Sequence, residues 1–166
     1  MSFYGFSDVI DCGEPDTTGS LTICTWIRAY SFGENGLGRI FDNGKIIFRL
    51  NKSGGGRVEL ASNGRGTFAR TADGSFPESF FNKWVALYAT RAANGTATIY
   101  IDGVNKTAST NSGVPRVSTK HLLIGNNNAG DALFNGIVSF ARIYDSVLDE
   151  DVLLQMEKDE KRKYYS

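Results

Sequence analysis

The sequence predicts an all-β protein, a sandwich of two antiparallel sheets with one short α-helix near the C-terminal end. Three observations predict it. Apolar and alternating runs are short, as strands are in globular domains. They are separated by Gly- and Asn-containing turns, among them Asp42-Asn43-Gly44, Asn94-Gly95 and Asp102-Gly103, the pairs that tighten β-hairpins because they accept positive φ. No helical periodicity interrupts the strands until residue 150, so there are no crossover helices of the kind a parallel sheet requires.

The elements follow in order. Residues 7–12 are expected to form a first short strand and 13–20 a loop. Residues 21–29 (LTICTWIRA) alternate, with Leu21, Ile23, Thr25 and Ile27 on one face and Thr22, Cys24, Trp26 and Arg28 on the other. Residues 39–41 lead into the Asp42-Asn43-Gly44 hairpin and 45–50 return. The Ser53-Gly54-Gly55-Gly56 turn gives way to strands over 57–61 and 67–71, with Asn63-Gly64 between them. Residues 83–91 (KWVALYATR) alternate again, placing Trp84, Ala86, Tyr88 and Thr90 on a shared face. Strands over 96–101 and 104–108 flank Asp102-Gly103. The last two cover 121–124 and 137–144, around a polar loop at 125–131. That makes about eleven strands joined mainly by tight turns.

One helix is expected over 150–161, with Asp149 as N-cap and Leu148 stapling onto Leu153. Val152, Leu153 and Met156 give it a narrow apolar stripe, and Glu157 and Asp159 precede Lys161 and Lys163 by four residues. The 166 residues read as one domain over 1–157, with 158–166 as a charged helix end and solvated tail.

Composition narrows the function classes. The 18 Lys and Arg balance 18 Asp and Glu, which argues against a partner held by phosphate neutralisation, so no nucleic acid is expected. Asp8, Asp11, Glu14 and Asp16 break every apolar stretch near the start, so no secretory signal is read there and no run is long enough to insert into a membrane. Two cysteines are too few for a disulfide framework or a zinc site. Cys12 and Cys24 can pair if their strands are neighbours, or stand as two small buried side chains.

Four stretches carry a resemblance: Leu21-Thr22-Ile23-Cys24-Thr25-Trp26-Ile27, Trp84-Val85-Ala86-Leu87-Tyr88, Ile99-Tyr100-Ile101-Asp102-Gly103, and the closing series Leu123-Ile124-Gly125, Phe134-Asn135-Gly136-Ile137 and Ile143-Tyr144-Asp145-Ser146-Val147-Leu148. In order and spacing they resemble the laminin-G-like and pentraxin-like branch of the concanavalin A-like jelly rolls, over roughly residues 6–156. The resemblance implies a jelly-roll sandwich. The same superfamily contains glycosidases, which need paired carboxylates about a glycosidic bond. The nearest string here, Glu14-Pro15-Asp16-Thr17-Thr18-Gly19, lacks the last acid, and Glu59 stands alone among the strand positions. The single histidine, His121, reads as a surface or turn residue. A non-enzymatic module is expected.

Resemblance to pentraxins implies a possible Ca2+ site. Asp42-Asn43 resembles the pair that supplies ligands there, and Asn126-Asn127-Asn128 falls at a further ligand group that is acidic in the family, with Asp131 available nearby. The metal candidates are therefore Asp42, Asn43, Asn128 and Asp131. The alternative is that these residues only make turns. For a glycan site, Tyr30, Phe32, Phe68, Phe76 and Phe80 are loop aromatics able to stack on a sugar, and Asn126 and Asn127 can supply hydrogen bonds. The alternative is that the aromatics plug the core. Trp26, Trp84, Tyr88, Tyr100 and Phe140 are assigned to core or inter-strand packing, and Asn51, Asn94 and Asn105 head N-x-S/T sequons.

The resulting expectation is a non-catalytic binding module. Domains of this kind work outside cells, whereas this chain opens at Met1 without a readable leader. A phage virion protein reconciles the two, as a capsid decoration or tail adhesin that contacts glycans from the virion surface. The alternatives are a freestanding calcium-dependent lectin forming a homo-oligomeric ring and a purely structural decoration subunit bound to a capsid or tail scaffold.

Overall fold

The computed structural model describes residues 1–3, 8–62 and 67–164, the side chains of Thr67, Phe68 and Tyr164 excepted. Among the described residues, strands β1 (Ser2–Phe3), β2 (Ile10–Asp11), β3 (Leu21–Ala29), β4 (Arg39–Asp42), β5 (Ile47–Asn51), β6 (Arg57–Ser62) and β7 (Thr67–Thr71) are followed by β8 (Trp84–Arg91), β9 (Ala97–Ile101), β10 (Val104–Asn105), β11 (Thr107–Thr110), β12 (Leu123–Ile124) and β13 (Gly136–Tyr144). Helix α1 (Glu150–Tyr164) closes the chain. They build a six-stranded sheet, β1-β13-β3-β8-β9-β10, and a seven-stranded sheet, β11-β7-β6-β5-β4-β12-β2. The strand ladders are antiparallel, giving the jelly-roll sandwich that the sequence predicts.

Alternation decides which side chains meet. Leu21, Ile23 and Ile27 of β3 and Val85, Leu87 and Ala89 of β8 point between the sheets, against Phe41, Phe48 and Leu60 of the opposite sheet. Burying a side chain of this size contributes about 1.5–3 kcal/mol. The opposite faces of the same strands place Cys24, Trp26, Ala86 and Tyr88 in a second cluster capped by Leu153 of α1. The six-stranded sheet is thus covered on both sides, which is why its central strands show no solvent-facing polar stripe. Trp26 Nε1 donates to Tyr88 Oη at 3.3 Å inside this layer.

Several boundaries differ from expectation. Of the first expected strand only Ile10–Asp11 is strand, Ser7 lying outside the described residues, and β1 was not foreseen. The Asn63-Gly64 turn also lies outside them. The expected strand over 104–108 is two strands on different sheets: β10 pairs with β9, then the chain crosses at Lys106 and β11 pairs with β7. The turn before it is as expected, with Asp102 at φ +48° and Gly103 at +73°, the I′ pattern. Helix α1 continues three residues past Lys161 to Tyr164. Glu157 pairs with Lys161, but Lys163 turns to Glu160 at 2.7 Å instead of Asp159, which accepts from Gln155.

The cysteines do not pair. Cys12 is exposed and follows β2 on the seven-stranded sheet, its N–H donating to the Leu122 carbonyl. Cys24 is buried under α1 on the outer face of the other sheet, where burial pushes its thiol up to about 12. Cys12 therefore does not fit the expectation of two buried side chains. No helix among the described residues is long and apolar enough to cross a membrane.

Candidate functional site

The loop at residues 125–131 rises beside β4, β12 and β2 of the seven-stranded sheet and covers much of their outer face. Gly125 opens this loop at φ +92°, and a Cβ there would collide with the Phe3 ring. Asn126, 2% exposed, accepts the backbone N–H groups of Asn127 and Ala132 on its Oδ1. Asn127 and Asp131 then clasp one another across the loop. Asn128 Nδ2 donates to the His121 carbonyl at 3.3 Å. The Asn run is therefore a braced wall.

A depression lies on each side of that wall. One, of about 420 Å³, is lined by Asp11, His121, Leu123 and the asparagines. The other, of about 180 Å³, is lined by Arg39, Asp42, Lys120, Asn127 and Asn128. Asp42 and the Asn loop do meet in space, along the smaller hollow.

In the larger hollow His121 is the organiser. Its Nδ1 sits 2.7 Å from Asp11 Oδ2, and its Nε2 3.5 Å from Glu14 Oε1. The hydrogen bond with Asp11 raises the imidazole above its ordinary value and lowers the Asp11 carboxyl below its own. These acids bind opposite sides of the ring, so the three groups form a chain and do not converge on one point.

In the smaller hollow Asp42 is 3% exposed. Its Oδ1 accepts the Gly44 N–H at 2.6 Å, and its Oδ2 lies 3.3 Å from Arg39 Nε. Burial pushes its carboxyl up, against the pull of Arg39, Lys120 and Arg49. Asn43 Oδ1 accepts two backbone N–H groups, from Lys45 and Ile46, and its Nδ2 donates to Thr17. These residues fit calcium poorly: Asn43 Oδ1 is committed to its turn, Asp42 and Asp131 each already give one oxygen to a neighbour, and Arg39 and Lys120 bring cations to the same hollow. Among the described residues no three His, Cys, Asp or Glu side chains gather to hold a metal.

The remaining sequence candidates fall elsewhere. Phe32 is buried in the core at 5% exposure, edge-on to Phe81 at 4.9 Å and to Phe76 at 6.5 Å, and Phe76 is buried too. Phe32, from the chain between β3 and β4, meets Phe76 and Phe81, from the chain between β7 and β8, in the core, so Phe32 is a plug and cannot stack on a sugar. Tyr30 is half-buried beside Asn135, with the Arg28 guanidinium 6.0 Å from its ring. Phe68 is on β7, its side chain outside the described residues. Asn51, one of the sequon asparagines, is buried and donates to Glu59 at 2.9 Å.

What the sequence reading missed is a charged row across the sheet. Pairing register places Arg39 beside Arg49, Arg49 beside Glu59, Glu59 beside Arg70, and Arg70 beside Ser109. Glu59 is held by Arg49, Arg57 and Asn51, which together keep its carboxyl below the ordinary value despite burial. The signal was present in the hairpin turns: counting outward from Gly54 sets Arg49 against Glu59.

The comparisons with known proteins agree with this architecture. The sequence profile of the concanavalin A-like lectin/glucanases superfamily matches residues 7–152. The chain belongs to that superfamily. Its fold is similar to domain 4 of AbnA, an extracellular arabinanase of Geobacillus stearothermophilus solved with arabinotriose, at 17% identity and TM-score 0.70 over 93% of this chain and 75% of that one. It is also similar to a heptameric SAP-like pentraxin of Limulus polyphemus, at 15% identity and TM-score 0.64 over 93% and 83%. The binding domain of botulinum neurotoxin DC, solved with rat synaptotagmin II, matches at 17% identity and TM-score 0.57 over 86% of this chain and 36% of its own. No curated protein matches the chain in sequence.

Proposed function

We propose that this chain is a non-catalytic carbohydrate-binding module that holds a glycan against the outer end of the seven-stranded sheet, astride the loop at residues 125–131. The observation that carries the reading is the braced loop itself. Its amides line both hollows and are fixed before any ligand arrives, so little conformational entropy is lost on binding. The arabinotriose complex of AbnA domain 4 supports the choice of ligand class. Catalysis is disfavoured by the state of Glu59: an acid kept ionised by two arginines and an amide has no proton to give a leaving group near neutral pH.

The setting attached to this reading is a virion surface, as decoration or adhesin, and its support comes from the sequence alone. Ring assembly of the pentraxin kind is the alternative setting. The experiment is a glycan array probed with multivalently displayed protein, in calcium and again in EDTA, since weak single sites gain apparent affinity from avidity. Binding is expected in both buffers. Binding lost in EDTA would restore the calcium lectin, and binding in neither would leave a structural decoration subunit as the better account.

A further inference from the structure

We propose that the open edge of β13 is an acceptor for an extended strand of a partner protein, one with apolar side chains at alternate positions and a lysine or arginine where it passes Asp16 and Asp145. This site is independent of the glycan reading: the hollow it uses shares no lining residue with the two beside the loop at residues 125–131. β13 is paired on one side only along most of its length. It runs beside β3 from Gly136 to Tyr144, but β1 covers it only at Gly136 and Ile137, with Met1 reaching Val138. Among the described residues no strand pairs with Phe140–Tyr144 on the other side. All of these residues are half-buried or exposed, whereas β3 beside them is buried at every position but Arg28. An uncapped row of backbone N–H and C=O groups is what an incoming strand pairs with.

The core is open beside that edge. A hollow of about 360 Å³ lies between the sheets there, walled by Leu21, Phe41, Leu122, Ile124, Ala141 and Ile143. Opposite it the seven-stranded sheet runs one strand further, to β2 beyond β12, and Cys12 at the end of β2 lines the hollow from that side. A strand laid against β13, on the line that Met1–Phe3 already follows, turns every second side chain into this hollow, where apolar ones are favoured. The unpaired backbone selects a strand over a compact apolar molecule, and the charge at the mouth selects its flank. Asp16 and Asp145 line the hollow and no Lys or Arg does. Asp16 is exposed and holds Thr18 through Oδ1. Arg142 turns instead to the helix side, its guanidinium 4.8 Å from the Phe140 ring and 4.0 Å from Glu160, which leaves the mouth acidic.

The test extends the intact chain ahead of Met1 by about seven residues, enough at about 3.4 Å each to pass Tyr144. Two extensions alternate valine and threonine in opposite phase, a third is glycine and serine only, and each carries a lysine at its far end. One phase seats its valines in the hollow and the other turns them to the helix side, because a one-residue slip exchanges the faces. The expected result is that one phase alone slows native labelling of Cys12 about tenfold or more and protects the fast-exchanging amides of residues 140–144. The same strand, added as a free peptide to the unextended protein at millimolar concentration, should give the same protection. With glutamate in place of lysine it should bind more weakly, the difference fading between about 20 and 500 mM NaCl. Three extensions that behave alike overturn the proposal. Protection by the extension with none from the peptide assigns the edge to chain ahead of Met1 and overturns the partner strand. Protection of Cys12 that rises with protein concentration alone makes the occupant a second copy and overturns it too. Equal binding of the lysine and glutamate peptides overturns the cationic flank. The glycan array judges the other reading separately, since neither hollow beside the loop is touched.

Discussion

Asn127 and Asp131 hold each other twice: Asn127 Nδ2 donates to Asp131 Oδ1 at 2.7 Å, and the Asp131 N–H donates to Asn127 Oδ1 at 3.1 Å. This reciprocal pair closes the loop at its base and keeps the wall between the two hollows upright. Asn127→Ala removes both bonds at an exposed position. The expected outcome is a small stability change, about 0.5–1.5 kcal/mol, with a larger proportional loss of glycan affinity. Thermal unfolding and glycan titration on the same variant check the split; equal losses in both would make the pair merely structural.

His121 and Asp11 define a pH window. The His121 value is raised, so its contribution to the bridge is full below the ordinary 6.5 and fades as pH rises through the folded-state value. The Asp11 value is lowered, so its contribution is full above the ordinary 3.8 and fades as pH falls through its own folded value. The bridge is therefore complete between these limits. An NMR titration of the single imidazole should give a midpoint above 6.5, moving down toward it in Asp11→Asn. A midpoint unmoved by that substitution would mean the pair is not formed in solution.

Glu59 anchors two arginines on adjacent strands, and its side chain is 9% exposed. Glu59→Ala leaves Arg49 and Arg57 without their common acceptor and Asn51 Nδ2 unpaired. The expected cost is about 3–5 kcal/mol, the range for breaking a buried pair from one side. Chemical denaturation measures it. Glu59→Gln keeps one acceptor oxygen and should cost less.

Thiol chemistry reads out the two cysteines separately. In the native state a disulfide-exchange reagent at mildly alkaline pH should label Cys12 alone, slowly, since desolvation and the Asp11 charge push its thiol up. Cys24 should react only after unfolding, its thiolate being suppressed by burial. Mass spectrometry of the labelled peptides decides; native labelling of Cys24 would mean that α1 lifts readily from the sheet.

The long strands were legible because both of their faces are specified by side chains. In LTICTWIRA and KWVALYATR the alternation names the core face and the helix face together, and the structure places Ile23 with Leu87 and Trp26 with Tyr88 as it implies. β1 was illegible because a two-residue strand has no period to read, and for the same reason the bounds of β12 were overdrawn, the strand expected over 121–124 holding only at Leu123–Ile124. The split at Lys106 was hidden because one polar strand and two short ones on different sheets have the same residue pattern. At the site, Asn126 to Asp131 were found by composition. Their roles were not, since amides that bond their own loop look in sequence like amides that await a ligand. Phe32 misled for a related reason: its position between strands says loop, and only the tertiary path of that loop says core. Arg39 was passed over because a bulge between Arg39 and Phe41 breaks the alternation that would have put it on the solvent face beside Asp42.

The two chain ends offer different attachment points. The Met1 amine donates to the Val138 carbonyl at 2.8 Å and the Val138 N–H returns to the Met1 carbonyl, so the first residue is stitched to an outer strand of the six-stranded sheet. Anything fused ahead of Met1 would replace that amine and be steered along the β13 edge. A fusion after α1 begins on the far side of that same sheet, with the seven-stranded sheet and its two hollows facing away. Beads, biosensor chips or scaffold proteins joined through the C-terminus should therefore present the hollows outward.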